Sequence, residues 1–234
     1  MVKTKLKEVL EAQQVFCPPR TIEQFVHYYT FLVNWNRHTN LTALTDFEDY
    51  AVKHVLDSLL PTRFFSAENM SLADVGSGAG FPGIPLKLYC PSVDLSLLDA
   101  AAKRVRFLEA CCQHLNVKAE ILQIRAEDAG RGNLRERFDR VCARAVASLP
   151  VLVEYCLPLV RPGGQFVALK GPRASDELDF AQGAIVKLGG EIGAVHEYEL
   201  MGTERRTIII INKTQATPEK YPRKPGIPGK KPLR

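Results

Sequence analysis

The sequence predicts an α/β protein: a mostly parallel sheet with helices on both faces, closed by an antiparallel hairpin and preceded by a helical extension. Three observations carry that prediction. From Leu72 to Leu188, strand-length apolar runs alternate with helix-length amphipathic segments, the order that builds crossover units and parallel pairing. The first run breaks into a glycine cluster, Asp74-Val75-Gly76-Ser77-Gly78-Ala79-Gly80, ahead of Pro82, a strand–turn–helix pattern. The last two apolar runs, Glu191–Leu200 and Arg205–Asn212, are joined by Met201-Gly202-Thr203-Glu204, which reads as a hairpin.

The elements follow in order. Residues 1–65 form the helical extension. There Thr21 with Gln24 reads as a capping box, and Ile22, Phe25, Val26, Tyr29, Leu32 and Trp35 recur at helical spacing. Asn36 to Thr42 reads as a polar linker; its Asn40-Leu41-Thr42 is a sequon without meaning in a cytosolic chain. Asp46 and Asp49 open a further helix through Tyr50, Val52, Val55, Leu56, Leu59 and Leu60. Within residues 66–214, strands are expected at Leu72–Val75, Asp94–Leu98, Ala119–Ile124, Phe138–Ala143 and Gln165–Leu169. Helices fit Pro82–Tyr89, Lys103–Leu115, Leu149–Leu159 and Ser175–Leu188. Residues 215–234 are a basic tail with five prolines and two glycines, expected to be extended and not helical.

Composition narrows the class. A 46% apolar and 24% charged chain of 234 residues is an ordinary globular protein with room for one substantial domain and an appendage. No apolar run suffices to cross a bilayer, and the N-terminus lacks a signal-peptide core, so a cytoplasmic location away from membranes is expected. The six cysteines form no C-x-x-C pair; free thiols and no metal are expected. The net charge of +5 is unevenly placed: Lys220, Arg223, Lys224, Lys230, Lys231 and Arg234 face no acidic residue from Lys220 onward, and the rest of the chain carries 25 basic against 26 acidic groups. A tail of this kind suits a polyanionic partner, or serves solubility alone.

The glycine turn contains a literal G-x-G-x-x-G at Gly78, Gly80 and Gly83, but displaced from the strand; the register after Val75 is G-x-G-x-G through Gly76, Gly78 and Gly80. The acidic residues around it are informative. Asp99 ends the second strand, where a carboxylate accepts ribose hydroxyls. Asp74 sits inside the first strand, where it needs hydrogen-bond partners such as turn amides or, through water, an ammonium group. Glu127-Asp128 follows the third strand, where an adenine amino group would lie. Carboxylates around a glycine loop suit S-adenosyl-L-methionine, which has no phosphate, better than a pyrophosphate. The closing hairpin agrees, since class I Rossmann-like methyltransferases end their seven-stranded sheet in that way.

At this point the chain resembles the bacterial 16S ribosomal RNA guanine-N7 methyltransferases, the glucose-inhibited division protein B family. The resemblance spans nearly the whole chain. It rests on Asn40-Leu41-Thr42, His54-Val55-Leu56-Asp57-Ser58, Asp74 to Pro85 with its Gly80-Phe81-Pro82-Gly83-Ile84-Pro85, Leu98-Asp99 followed by Lys103-Arg104, Arg125-Ala126-Glu127, Ala143-Arg144-Ala145, Leu169-Lys170-Gly171 and Tyr221 to Gly226. It implies that Gly76, Phe81, Ala126, Glu127 and Arg144 line the cofactor site beside Asp99. It also implies 16S rRNA, in the 30S subunit or its precursor, as partner; a monomer is expected.

Guanine N7 exposes a lone pair, so methyl transfer to it needs neither a general base nor a covalent nucleophile, and positioning carries the rate. The chain accordingly has Ala143-Arg144-Ala145-Val146 where exocyclic-amine enzymes carry Asn/Asp-Pro-Pro-aromatic, and no Pro-Cys pair. These absences permit N7; the resemblance selects it. Arg144 and Lys170 are the expected catalytic residues. RNA contacts are expected from Lys170, Arg173, Arg205, Arg206, Arg223 and Lys224, the tail residues through phosphates. On the residues alone, a methyltransferase of the same fold with another substrate, or a non-catalytic RNA-binding assembly factor, stays open.

Overall fold

The computed structural model describes residues 1–39, 41–42, 46–65, 68–172, 174–202 and 204–233. Asn40 of the Asn40-Leu41-Thr42 motif, Arg173, Thr203 of the expected hairpin turn and Arg234 lie outside the described residues. Seven strands, β1 (Ser71–Val75), β2 (Asp94–Asp99), β3 (Glu120–Gln123), β4 (Phe138–Arg144), β5 (Val160–Lys170), β6 (Gly190–Leu200) and β7 (Glu204–Lys213), form one sheet in the order β3-β2-β1-β4-β5-β7-β6. The first five pair in parallel; β7 runs antiparallel between β5 and β6.

Alternation along the strands sorts the side chains into two layers, as the period of two demands. Leu72, Leu95, Leu97, Ile208 and Ile210 face the N-terminal helices, packing with Phe25, Tyr28, Leu32, Tyr50 and Leu56. Ala73, Val75, Val141, Ala143, Ile209 and Ile211 face the opposite layer, where they meet Leu149, Leu152, Val153, Ala181 and Ile185. The helical extension is thus one wall of the core, built on the same sheet face as the Gly83–Tyr89 and Ala102–Leu115 helices.

Several expectations are corrected. The helix expected to start at a Thr21 capping box begins at Pro19, and Thr21 is buried on its inner face, donating to the carbonyl of Leu88 at 3.5 Å. That helix continues to Thr39 through most of the expected linker. It does so because the Asn36 amide closes the following turn: its oxygen accepts the N–H groups of Leu41 (2.6 Å) and Thr42 (3.1 Å), and its nitrogen donates to the Thr42 carbonyl (2.8 Å). Asp46 does cap the next helical segment, accepting from Glu48 and Asp49 N–H, but the segment is π-wound over Tyr50–Leu56. Two further helices were not expected, Ala126–Arg131 and Ile227–Lys230. The second contradicts an entirely extended tail: Pro228 sits in the first turn of a helix, where its missing N–H costs nothing.

In doubly wound sheets ligands bind where the strand order reverses. Here that point lies between β1 and β4, at the carboxyl ends that carry Gly76 and Arg144.

Candidate active site

Beyond β1 the chain turns back on the sheet. The N–H groups of Gly76 and Ser77 donate to the Leu98 carbonyl (2.8 and 3.1 Å), and Gly78 N–H donates to Asp99 Oδ2 at 3.0 Å. Gly76 adopts φ +71°, and a Cβ there would lie 2.6 Å from Val146 Cγ2. Only glycine leaves the main chain open in this conformation. A cavity of about 180 Å3 opens beside it, lined by Val75, Gly76, Leu98, Asp99, Ala126, Glu127, Val146 and Tyr155 among others. Asp99 is buried; its Oδ1 accepts Ala101 N–H at 2.9 Å, and half-exposed Arg104 reaches Oδ2 at 3.4 Å. Glu127 is also buried, with Oε1 accepting the N–H of Gly226 at 2.9 Å. Asp74 lies under the turn: Oδ2 accepts Gly83 N–H at 2.9 Å, while Oδ1 is buried without a hydrogen-bond partner among the described residues. Burial pushes its pKa up to about 7.

These residues fit S-adenosyl-L-methionine. The cavity offers a carboxylate at the end of β2, a second at the far wall, an apolar floor and a main-chain approach that a Cβ would fill. Asp99 and Glu127 would hold the ribose and adenine ends, with Gly76 and Ala126 against the ligand.

A larger cavity, about 490 Å3, adjoins the ends of β4 and β5 and is lined by Lys53, His54, Asp57, Arg144, Ala145, Leu169, Lys170, Gly171, Pro172, Glu177 and Arg206. The two cavities meet at the segment 144–146, whose Arg144 and Ala145 face one and Val146 the other. Arg144 is fixed on three sides: Nη1 donates to the Lys53 carbonyl and to Asp57 Oδ2 (both 2.9 Å), and Nη2 donates to His54 Nδ1 at 3.1 Å. Because an arginine can only donate, Nδ1 is the acceptor and His54 is neutral. Burial and then the Arg144 charge push its pKa down to about 3. Buried Asp57 also accepts Tyr198 Oη (3.1 Å) and lies 3.5 Å from Arg206 Nε. Lys170 Nζ donates to the Ala147 carbonyl at 3.0 Å and pairs with Glu177 at 2.6 Å. The lining carries four cations against two carboxylates, and Asp49 and Glu204, outside it, pair with Lys53 and, for Glu204, with Arg206 as well.

The structure gathers Arg144, Lys170 and Arg206 around one cavity and Gly76, Asp99, Ala126 and Glu127 around the other. Asp74, Gly78, Gly80 and Phe81 line neither cavity. Phe81 is buried between Tyr28 (ring centroids 5.0 Å apart) and His54 (4.2 Å), with the Arg144 guanidinium 5.4 Å from its ring centroid. Tyr28 Oη in turn donates to the Ala79 carbonyl, so the N-terminal helix clamps the glycine turn. Arg205 is exposed beside Glu199. Arg223 is placed otherwise than the phosphate role expects: its guanidinium is spent on buried Glu154, with Nη2 to Oε2 at 2.6 Å and Nε to Oε1 at 2.9 Å. Lys224 is exposed. His54, Asp57, Tyr198 and Glu177 were not anticipated as site residues. For His54 and Asp57 the available signal was a polar pair at i, i+3 inside an apolar helical run.

A family model for rRNA small subunit methyltransferase G matches residues 21–208. The ribosomal RNA small subunit methyltransferase G of Lactobacillus johnsonii is 47% identical over 218 residues, covering 90% of this chain and 91% of that one. Its counterpart in Geobacillus kaustophilus is 45% identical over the whole of both chains. Among solved structures, the ribosomal protein L11 methylase of Lactobacillus delbrueckii matches 70% of this chain and 80% of its own at TM-score 0.53 and 15% identity. A Thermus thermophilus branched-chain polyamine synthase mutein, in complex with N4-aminopropylspermidine and 5′-methylthioadenosine, matches 81% of this chain and 64% of its own at TM-score 0.57 and 13% identity. At those identities the structural likeness concerns the fold.

Proposed function

The chain belongs to the rRNA small subunit methyltransferase G family, and from that premise we propose that it methylates N7 of a guanine in 16S rRNA, within the 30S subunit or its precursor. It is an S-adenosyl-L-methionine-dependent rRNA methyltransferase; the atom and the particle are the inference. When bound, the cofactor supplies an electrophilic methyl group on a sulfonium for in-line displacement.

The observation that supports N7 is that the two buried groups of the cationic cavity able to take a proton, His54 and Asp57, are already engaged. His54 Nδ1 is occupied by Arg144 and its pKa is held near 3. Both Asp57 oxygens serve Arg144 and Tyr198. Glu177 Oε2 accepts the Leu149 N–H at 2.6 Å and pairs with Lys170. An acceptor that must lose a proton before attack would find neither His54 nor Asp57 free to take it. Guanine N7 has no proton to lose. In this reading Arg144 and Lys170 donate to the guanine edge at O6 and leave N7 free. Holding the base in line is the main contribution, for which effective molarities supply up to about 7–11 kcal/mol. Lys53, Arg206 and Arg205 on the rim, and the exposed tail lysines, would meet phosphates. Both cavities are complete within one chain, which suits a monomer. Among the described residues no helix is long and apolar enough to cross a membrane, and a ribosomal substrate supports activity in the cytoplasm.

The test is transfer of labelled methyl from S-adenosyl-L-methionine to 30S particles and to naked 16S RNA from cells lacking the enzyme. Cleavage at 7-methylguanine then maps the product. Label at another guanine atom refutes N7, and binding of cofactor without label on either substrate refutes the enzymatic reading.

A further inference from the structure

The tail does not leave the domain. Its beginning is anchored by Lys213, wholly buried, whose Nζ donates to the Leu157 carbonyl at 2.8 Å and lies 3.3 Å from Glu136. Arg135 then donates to the carbonyls of Thr217 and, at 2.8 Å, Tyr221. Pro222 packs on the Ala126–Arg131 helix so closely that a Cβ on Gly130 would lie 3.0 Å from its ring. Arg223 is the clasp: its N–H and guanidinium bind both oxygens of Glu154, and its Nη2 also donates to the Lys231 carbonyl at 2.7 Å, closing the segment into a loop. Glu154 is fully buried, and its neighbour Tyr155 lines the smaller cavity. At the tip of that loop Gly226 turns at φ +81° and donates its N–H to Glu127 Oε1. No other hydrogen bond to the Glu127 carboxylate is present among the described residues, which leaves Oε2 for a ligand.

From this arrangement we propose that the carboxy-terminal strap is part of the cofactor site. Gly226 and Arg223 are positioning residues that set the Glu127 carboxylate, from 99 and 96 residues away in sequence, for the amino group of the adenine. The proposal rests on the reading that Glu127 receives the adenosyl group. Gly226 has to be glycine because of its backbone: a Cβ would meet nothing within 4 Å, yet a left-handed φ is one that ordinary residues resist, with asparagine the usual exception. A side chain that resists this φ withdraws the N–H from Glu127 without filling any space. The strap also carries Lys220, Lys224, Lys230 and Lys231, exposed and without ion-pair partners among the described residues, so cofactor site and phosphate-facing charge belong to one covalent segment.

The test uses the full-length protein and isothermal titration with S-adenosylhomocysteine, at a temperature well below each variant's melting point. Gly226→Val is expected to weaken binding about tenfold and Gly226→Asn to stay within about twofold of the native chain, a contrast that a general loss of stability would not produce. Arg223→Lys, which keeps the charge but not the fork, is expected to fall between them. If Gly226→Val binds like the native protein while Glu127→Gln loses affinity, the strap is not part of the site. If Glu127→Gln also binds normally, the adenine role of Glu127 fails, and the proposal with it. Replacing Lys224, Lys230 and Lys231 together with Gln is expected to leave cofactor affinity unchanged when RNA is absent; a loss there would place the effect in strap charge and overturn the backbone mechanism.

Discussion

Replacing Asp57 with alanine removes the one carboxylate that binds Arg144 among the described residues, and the cost can be worked from the contacts. Asp57 and Arg144 are 6% and 14% exposed, with Nη1 to Oδ2 at 2.9 Å. Taking one partner from a buried pair costs about 3–5 kcal/mol, because the other charge stays behind uncompensated. Arg144 keeps the Lys53 carbonyl and His54 Nδ1, so the low end, about 3 kcal/mol, applies. For a chain of this size each kcal/mol lowers the melting temperature by about 2–4 °C, so Asp57→Ala should melt about 6–12 °C early. Tyr198 and Arg206 lose the same partner, so the cationic cavity loses its geometry while the adenosyl cavity, on the other side of 144–146, does not. The expected signature is a large fall in kcat for methyl transfer with S-adenosylhomocysteine affinity within about twofold of native. A thermodynamic cycle with Arg144→Met measures the pair directly; coupling of roughly 1–3 kcal/mol is expected for residues in contact. A melting shift below 2 °C, or strict additivity in the cycle, would refute the assignment of Asp57 as the anchor of Arg144.

Three other expectations follow from the same geometry. Gly76→Ala places a Cβ 2.6 Å from Val146 Cγ2 at φ +71°; cofactor affinity should drop at least tenfold in calorimetry while circular dichroism stays native, and retained affinity would remove the turn from the site. His54 has a native pKa near 3 against 6.5 in an unfolded chain, so the unfolded state takes up the proton first. Its contribution to stability is complete above about pH 6.5 and is lost as pH falls toward 3. His54→Gln should flatten the melting temperature against pH across that window, and an unchanged slope would assign the acid sensitivity elsewhere. Finally, replacing Lys220, Lys224, Lys230 and Lys231 with Gln should lower the log–log salt slope of RNA binding by up to about 3, at roughly 0.7–0.9 per lost phosphate contact. An unchanged slope, read by filter binding, would leave the strap's charge to solubility.

The fold was legible because its strands stand out as short apolar runs between helix-length segments. The parallel run from Leu72 to Leu169 and the final hairpin were readable from apolar periods, and β7 shows why: Ile208 and Ile210 face one layer, Ile209 and Ile211 the other, so both faces of the strand are buried. Local signals were less reliable where tertiary contacts compete with them. Thr21 with Gln24 has the spacing of a cap, but burying Thr21 against Leu88 was favoured. Asn36 looks like a linker residue until its amide is seen to close a turn. The short Ala126–Arg131 helix had no apolar stripe of its own to announce it; it is held from outside by Pro222 and Gly226.

Half of the site was legible for a different reason. The residues proposed to meet the cofactor lie at strand ends, so their position follows from the topology: Gly76 after β1, Asp99 ending β2, Glu127 beyond β3. The cationic cavity has no such rule. Arg144 and Lys170 are at strand ends, but their charged partners come from the helical segment that precedes the sheet and from the helix after β5, and Asp57 is held in turn by Tyr198 of β6. This explains what the helical extension contributes beyond apolar burial. In the proposed reading Arg144 is held still by groups that are themselves already engaged. Asp57 supplies the counter-charge with its oxygens occupied, and His54 supplies a neutral acceptor whose lone pair points at Arg144 and not into the cavity. Placing both on a helix outside the sheet lets them approach Arg144 from the side away from the adenosyl cavity. The two cavities can then share a single short segment, 144–146, without sharing any titratable group.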